Sequence, residues 1–312
     1  MGMIEEVVTI ELPVGENFRI QRCRYTSINE KPTKRISVVS GIHGDELEGQ
    51  YVCFLLGQWL REHPEAIMGT IDIYPAINSL GIDSITRSVP FYDVDLNRTF
   101  PGSKNDFLPA QIADGVVNAM RGSDFAIDIH SSNIFLREIP QVRIAKAQED
   151  VLVPLANLLN IDFVWVHDAV TVLESTFAHA MNTIGTKTLV VEMGVGMRLG
   201  KAYGHQLLDG LLNLMAHEGI LDIEPLAVRF PIQSNVGEVA YLNATCPGLF
   251  VPVIEHCQVI EKGSLVGHIV SALSGEVLDE VIAPITGILF TIRAYPIVYE
   301  GSLLGRIFGE KQ

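Results

Sequence analysis

His43 and Glu46 stand three residues apart in the stretch Ser40-Gly41-Ile42-His43-Gly44-Asp45-Glu46, where an apolar run gives way to a helical pattern. An imidazole nitrogen and a carboxylate oxygen, with room for one more donor, make up the ligand set of a catalytic zinc. A histidine and a glutamate at this spacing also occur as an ordinary surface pair, so the motif by itself decides nothing. Two further segments share its character. The apolar run 125–130 ends in His130 and is followed by Ser131-Ser132-Asn133, and the run 188–191 leads into Glu192 and the turn at Met193-Gly194. Three apolar runs that each end in a metal-ligand or acid/base residue are hard to attribute to chance. In an open α/β sheet the carboxyl ends of the strands line the ligand crevice, where such endings converge.

The elements that must position these residues follow from periodicity. Residues 36–40 read as a short buried strand, and Leu47, Tyr51, Leu55, Leu56, Trp59 and Leu60 then recur at helical spacing. This places Glu46 in the first helical turn. Residues 5–30 alternate in the manner of edge strands. A strand at 71–74 opens into a long irregular stretch, 78–106, rich in Asp, Ser, Asn, Gly and Pro, and loops of that length inside a compact domain usually carry function. Helices are predicted near 107–121, 148–160, 172–184 and 202–218, with strands at 142–145 and 163–166 between them. The alternation predicts an α/β fold whose mostly parallel sheet is covered by helices on both faces.

Beyond Glu224-Pro225 the pattern becomes short apolar runs broken by Gly and Pro, which reads as all-β. The expected division is a catalytic domain over 1–224 and a small β domain over 225–312 with no helix between 230 and 305. Lys262-Gly263-Ser264-Leu265-Val266-Gly267 and Glu300-Gly301-Ser302-Leu303-Leu304-Gly305 form a weak internal repeat. It resembles the two halves of the lipoyl- and biotinyl-type barrel-sandwich hybrids. Those carriers attach their group to a lysine in the hairpin between the halves, and residues 268–282 contain none. A carrier role is therefore not expected.

Composition narrows the classes. With 22 basic against 37 acidic residues and a formal charge of −15, the chain lacks the clustered cations that nucleic-acid phosphates demand. Hydrophobic residues make up 48% and the mean hydropathy is +0.28. No apolar run approaches the roughly 20 residues of a membrane span, so the surplus is assigned to a large core or a homo-oligomer interface. The first residues lack the basic flank and apolar core of a signal peptide. Cys23, Cys53, Cys246 and Cys257 are scattered, without a C-x-x-C pair, as expected of reduced thiols in a cytoplasmic protein.

Four blocks taken in order resemble the succinylglutamate desuccinylase/aspartoacylase family of zinc carboxypeptidase-like hydrolases. They are G-I-H-G-D-E at 41–46, D-V-D-L-N-R-T-F-P-G at 93–102, D-I-H at 128–130 and V-E-M-G at 191–194. The likeness covers about 36–220, and the β extension is similar to one found in that family. The resemblance implies a zinc carboxypeptidase-like mixed sheet and one zinc per chain, held by His43, Glu46 and His130. It further implies Glu192 as the catalytic carboxylate, Arg87 as a transition-state arginine, and Asn97 with Arg98 as the pair that binds a substrate carboxylate. One departure is that relatives often carry N-P-x-A where this chain has Asn78-Ser79-Leu80-Gly81.

The chemistry implied is water attack on a small amide. Two imidazoles and one carboxylate leave zinc an open position and acidify its water, and one nearby carboxylate, Glu192, can shuttle the proton to the leaving amine. Arg87 would add positive charge for the oxyanion. Arg98 could hold a carboxylate with a bidentate fork or instead pair with Asp93 or Asp95 on the surface. Asp128, on the same strand face as His130, is a candidate to orient that ligand or an ordinary buried aspartate. Arg137 and Arg198 read as structural or solvated, and His167 as a less favoured extra ligand. The leading expectation is a zinc-dependent deacylase of a small N-acyl amino acid. A peptide-cleaving metallocarboxypeptidase is the alternative, and a non-catalytic metal- or ligand-binding protein on the same scaffold is a third reading.

Overall fold

The computed structural model describes residues 2–28, 32, 34–167 and 174–310. Nine strands and six helices build the first part of the chain. They are β1 (Met3–Glu11), β2 (Asn17–Thr26), β3 (Arg35–Ser40), α1 (Glu48–Glu62), β4 (Thr70–Tyr74), α2 (Ser79–Ser84), α3 (Leu108–Met120), β5 (Phe125–Ser131), β6 (Leu136–Ala145), α4 (Glu149–Ala156), β7 (Phe163–His167), α5 (Phe177–Thr183), β8 (Lys187–Gly194), α6 (Lys201–His217) and β9 (Ile232–Gln233). The rest is β10 (Glu238–Asn243), β11 (Gly248–Pro252), β12 (Val259–Ile260), β13 (Leu265–Val270), β14 (Val277–Ile282), β15 (Gly287–Arg293), β16 (Ile297–Val298) and β17 (Leu303–Gly309). Among the described residues no helix is long and apolar enough to cross a membrane.

A 13-stranded sheet has the main path β1-β2-β4-β3-β5-β8-β6-β15-β17-β10, with β7 joined to β6, β9 to β7 and β12 to β15 off that path, and β14-β13-β11-β16 form a separate 4-stranded sheet. The β4–β3–β5–β8 centre is parallel. The antiparallel β1–β2 hairpin covers one side of it, as the alternating N-terminal residues predict. Parallel pairing brings the C-terminal ends of β3, β5 and β8 to one edge of the sheet, with His130 directly opposite Glu192. Side chains alternate across the faces. Ile127, Ile129, Leu189 and Val191 pack into the core beneath α1 and α6, which leaves Asp128, His130, Val190 and Glu192 on the opposite face. There Ala126 joins the second core, against α3 and α5.

Several expectations need correction. Helix α1 starts at Glu48, so Glu46 lies in the turn ahead of it rather than in its first turn. Helix α5 begins only at Phe177, capped by the Thr176 hydroxyl, whereas a helix was expected from 172; residues 172 and 173 lie outside the described residues. Helix α4 ends at Ala156, and the following turn closes at Asn160, whose φ is 52°. The stretch 78–106 contains α2 and a 3-10 turn, Leu96–Arg98, so it is more ordered than a plain loop. A further 3-10 turn, Ser234–Val236, sits inside the segment expected to lack helix. The larger surprise is β6. It starts well before residue 142, and its outer edge pairs first with β15 (Leu136–Glu138) and then with β7 (Gln141–Ala145). Pro140, which has no N–H to donate, marks the change of partner. The C-terminal strands therefore extend the main sheet as well as forming their own.

Helix α6 packs so closely that a Cβ at Gly210 would lie 1.9 Å from the Leu159 carbonyl oxygen. Alanine is favoured over glycine in a helix by about 1 kcal/mol, but overpacking typically costs about 1–3 kcal/mol and a backbone oxygen cannot rotate aside. Gly210→Ala is expected to lower the midpoint of thermal unfolding; an unchanged or raised midpoint would refute this packing.

Candidate metal centre and catalytic cavity

The turn after β3 delivers the first two candidate ligands. Gly41 adopts φ +73° to leave the strand, and Gly44 passes so close to Gly81 that a Cβ would meet its carbonyl carbon at 2.0 Å. This brings His43 and Glu46 beside His130 at the end of β5, all three buried and with their ligand atoms within 4.8 Å of one another. His43 Nδ1 lies 2.8 Å from Glu46 Oε1, His130 Nδ1 lies 2.8 Å from Glu46 Oε2, and the two Nδ1 atoms are 3.2 Å apart.

The opposite nitrogen of each ring is held by a carboxylate. His43 Nε2 donates to Asp95 Oδ1 and His130 Nε2 to Asp128 Oδ2, each at 2.9 Å. A proton placed on Nε2 leaves Nδ1 as a lone pair, so two lone pairs and a carboxylate face one point. Two nitrogens bound to one tetrahedral zinc stand about 3.3 Å apart, close to the separation found. The donor set thus fits zinc.

The charges agree. Burial alone would lower the His43 pKa, yet Glu46 and Asp95 raise it. His130 is raised well above the ordinary value against the same burial penalty, by Asp128 and Glu46. Burial would raise the Glu46 carboxyl, but the two imidazoles hold it far below the usual range. The crevice therefore demands positive charge, which a divalent cation meets by displacing protons.

The same site lines a cavity of about 580 Å³. Arg87 reaches it from the 78–106 stretch, donating from Nη1 to Glu46 Oε1 at 2.7 Å and from Nη2 to Asp95 Oδ2 at 3.3 Å. Asn97 and Arg98 also line the cavity. Asn97 Oδ1 accepts from the Phe177 amide at 2.9 Å, which fixes it to the start of α5 and leaves its NH₂ group as the polar end free of that bond. Arg98 donates to the Asn97 carbonyl and forms no ion pair with Asp93 or Asp95 among the described residues.

Glu192 lines the cavity beside the ligands, with Arg143 Nη1 3.4 Å from its Oε1. Burial raises its pKa, against the opposing pull of Arg143. His167 lines the cavity but is not part of the metal-binding group. Arg198 is exposed and bonds its neighbour's carbonyl, and Arg137 is exposed on β6.

Three charged residues in this wall escape a reading of the sequence. Glu138, fully buried, accepts from Arg143 Nη2 at 2.8 Å and from Arg306 Nη1 at 2.6 Å. Arg143 and Arg306 both lie over the Trp165 ring. Charged residues inside an otherwise apolar run at 136–145 were the available signal.

Comparison with known proteins decides the family. The model of the succinylglutamate desuccinylase/aspartoacylase catalytic domain matches residues 32–218. The chain belongs to this family. Among curated family relatives, the N-alpha-acetyl-L-2,4-diaminobutyric acid deacetylase of Halomonas elongata is 33% identical over 112 residues, 36% of this chain and 32% of that enzyme. Mouse aspartoacylase is 36% identical over 74 residues, 23% of this chain and 22% of that protein. The chain thus aligns with a third or less of the length of each. The fold is shared over nearly the whole chain with the succinylglutamate desuccinylase/aspartoacylase of Rhodobacter sphaeroides, with TM-score 0.82, 20% identity and coverage of 99% and 96%. It is likewise shared with the product-bound ectoine utilization protein EutE (DoeB) of Ruegeria pomeroyi, with TM-score 0.81, 19% identity and coverage of 98% and 95%.

Removing the carboxylate behind a metal-bound histidine usually weakens metal affinity about 10–100-fold. Asp128→Ala is expected to raise the zinc dissociation constant by that order in a chelator-competition titration, while His130→Ala abolishes stoichiometric binding. Unaltered zinc affinity in both variants would remove His130 from the metal site.

Proposed function

We propose that the chain is a zinc-dependent hydrolase that cleaves the amide bond of a small N-acyl amino acid or related compound. One observation carries the reading: the Nδ1 atoms of His43 and His130 and the carboxylate of Glu46 converge at one point, with Glu192 lining the same cavity. The relatives named as a deacetylase and an aspartoacylase support amide-bond chemistry of this kind. A cavity of about 580 Å³ lies within the range of small-molecule sites, which supports a small amide over the peptide groove of a carboxypeptidase. The free cysteines fit a reducing compartment such as the cytoplasm.

Held by His43, Glu46 and His130, zinc would supply Lewis acidity for the carbonyl and bring water's pKa to about 7. Glu192 takes the proton of the attacking water and returns it to the leaving amine. Its raised pKa suits a group that must both accept and give a proton. Arg143 keeps the Glu192 carboxylate on the cavity side of β8. Arg87, anchored on Glu46 and Asp95, offers its charge to the oxyanion. Arg98 presents a fork to the substrate carboxylate, and the Asn97 amide adds a neutral donor.

Glu192→Gln keeps the side-chain shape but cannot accept the proton. It is expected to retain one zinc per chain while kcat falls about 10²–10⁴-fold. Zinc loss would make Glu192 a ligand, and unchanged turnover would assign the proton transfer elsewhere. Arg98→Lys keeps the charge but loses the planar fork. KM should rise for carboxylate-bearing substrates and not for their amidated analogues; equal effects on both would reject this role.

A further inference from the structure

The cavity does not end at the metal ligands. Thr188, Val190 and Glu192 fall on one face of β8 and all line it. At about 3.3 Å per residue, it continues roughly 13 Å back along the strand from Glu192. Ile144, Leu152 and Ala178 stand beside this arm and are buried. At its far end Asn182 and Thr188 are bonded within the chain, and Gln148 and His179 also line the cavity. Asn182 Nδ2 donates to the Thr188 carbonyl at 3.2 Å, Asn182 Oδ1 accepts from the Thr188 amide at 3.0 Å, and the Thr188 hydroxyl donates to the Thr186 carbonyl at 3.0 Å. A carboxylate pushed into this arm would lose its hydration, and the guanidinium beside it, Arg143 opposite Val190, is already paired with Glu138 and Glu192.

Charge balance points the same way. Four arginines line the cavity. Arg87 is paired with Glu46 and Asp95, Arg143 with Glu138 and Glu192, and Arg306 with Glu138. Among the described residues, Arg98 is the cavity arginine that forms no ion pair, so the cavity offers one guanidinium for one carboxylate. The bond from the Phe177 amide to Asn97 sets Arg98 beside the start of α5. That helix then continues past the arm through Ala178 to Asn182.

We propose that the substrate is an N-acyl amino acid with a single carboxylate, held at Arg98, and an uncharged apolar side chain lying in the arm formed by Val190, Leu152 and Ala178. This rests on the deacylase reading above and names the substrate class of that same site. It sets the chain apart from enzymes that take dicarboxylates such as acylated aspartate or glutamate.

The test is a kcat/KM series on zinc-reconstituted protein with N-acetylalanine, N-acetyl-2-aminobutyrate, N-acetylnorvaline and N-acetylnorleucine, set against N-acetylaspartate and N-succinylglutamate. Each methylene entering the arm should raise kcat/KM about three- to fourfold, and N-acetylnorleucine should exceed both substrates with acidic side chains by at least about tenfold. Ala178→Leu, which fills the arm, should collapse the norleucine-to-alanine ratio toward one; if that variant does not fold, the wild-type series decides. Free norleucine should also inhibit more strongly than free aspartate. Substrates with acidic side chains turned over as well as or better than N-acetylnorleucine, or a flat aliphatic series, would overturn the proposal and leave the deacylase reading standing. Hydrolysis of no member of the panel would overturn both.

Discussion

Two imidazole nitrogens 3.2 Å apart, pressed against a buried glutamate and backed by two aspartates, are a concentration of unlike and like charge that a protein interior tolerates only under strict compensation. Much of the surrounding architecture answers that demand. The parallel β3–β5–β8 centre sets the ligands and Glu192 at one sheet edge. The 78–106 stretch folds back to supply Arg87 and Asp95, one to each side of the His43–Glu46 pair. The tight turn at Gly41 and Gly44 lets His43 and Glu46 approach a strand that lies far from them in sequence. Remove the positive charge from this centre and the carboxylates around it repel one another with little water to screen them.

The candidate metal-binding group is legible because its signal is local. His130 and Glu192 each close an apolar, alternating run, and His43 follows one directly, so strand ends could be read without knowing what pairs with what. Asp128 was legible for the same reason, since a two-residue period fixes the face it shares with His130. The position of Glu46 relative to α1 was less so: the N-cap residue is Leu47, which makes no side-chain cap bond and gives no stop signal before the helix. For Asn97 the resemblance implies a role toward substrate but not the bond that fixes its oxygen to the α5 backbone. That bond joins segments far apart in sequence, which periodicity cannot register.

The part least visible in the sequence is the seam between β6 and the C-terminal strands. Composition separates an α/β segment from an all-β one. It carries no information about which free strand edge the later strands choose. They choose β6, where Pro140 marks the end of the pairing with β15 and, on the other edge, the register with β8 shifts between Glu138 and Gln141. As a result Glu138, with no exposure of its own, meets Arg143 of its own strand and Arg306 of β17.

That shared carboxylate has a consequence for how the molecule is made. Glu138 and Arg306 are separated by 168 positions in the chain. A ribosome delivers β6 long before β17 exists, so until then one wall of the cavity carries an acid lacking half of its counter-charge, beside a strand edge with unmade hydrogen bonds. Contacts of such long sequence separation form late and slowly. The crevice, although its candidate metal-binding residues all lie in the first half of the chain, is therefore expected to be among the last regions to reach its final shape during synthesis.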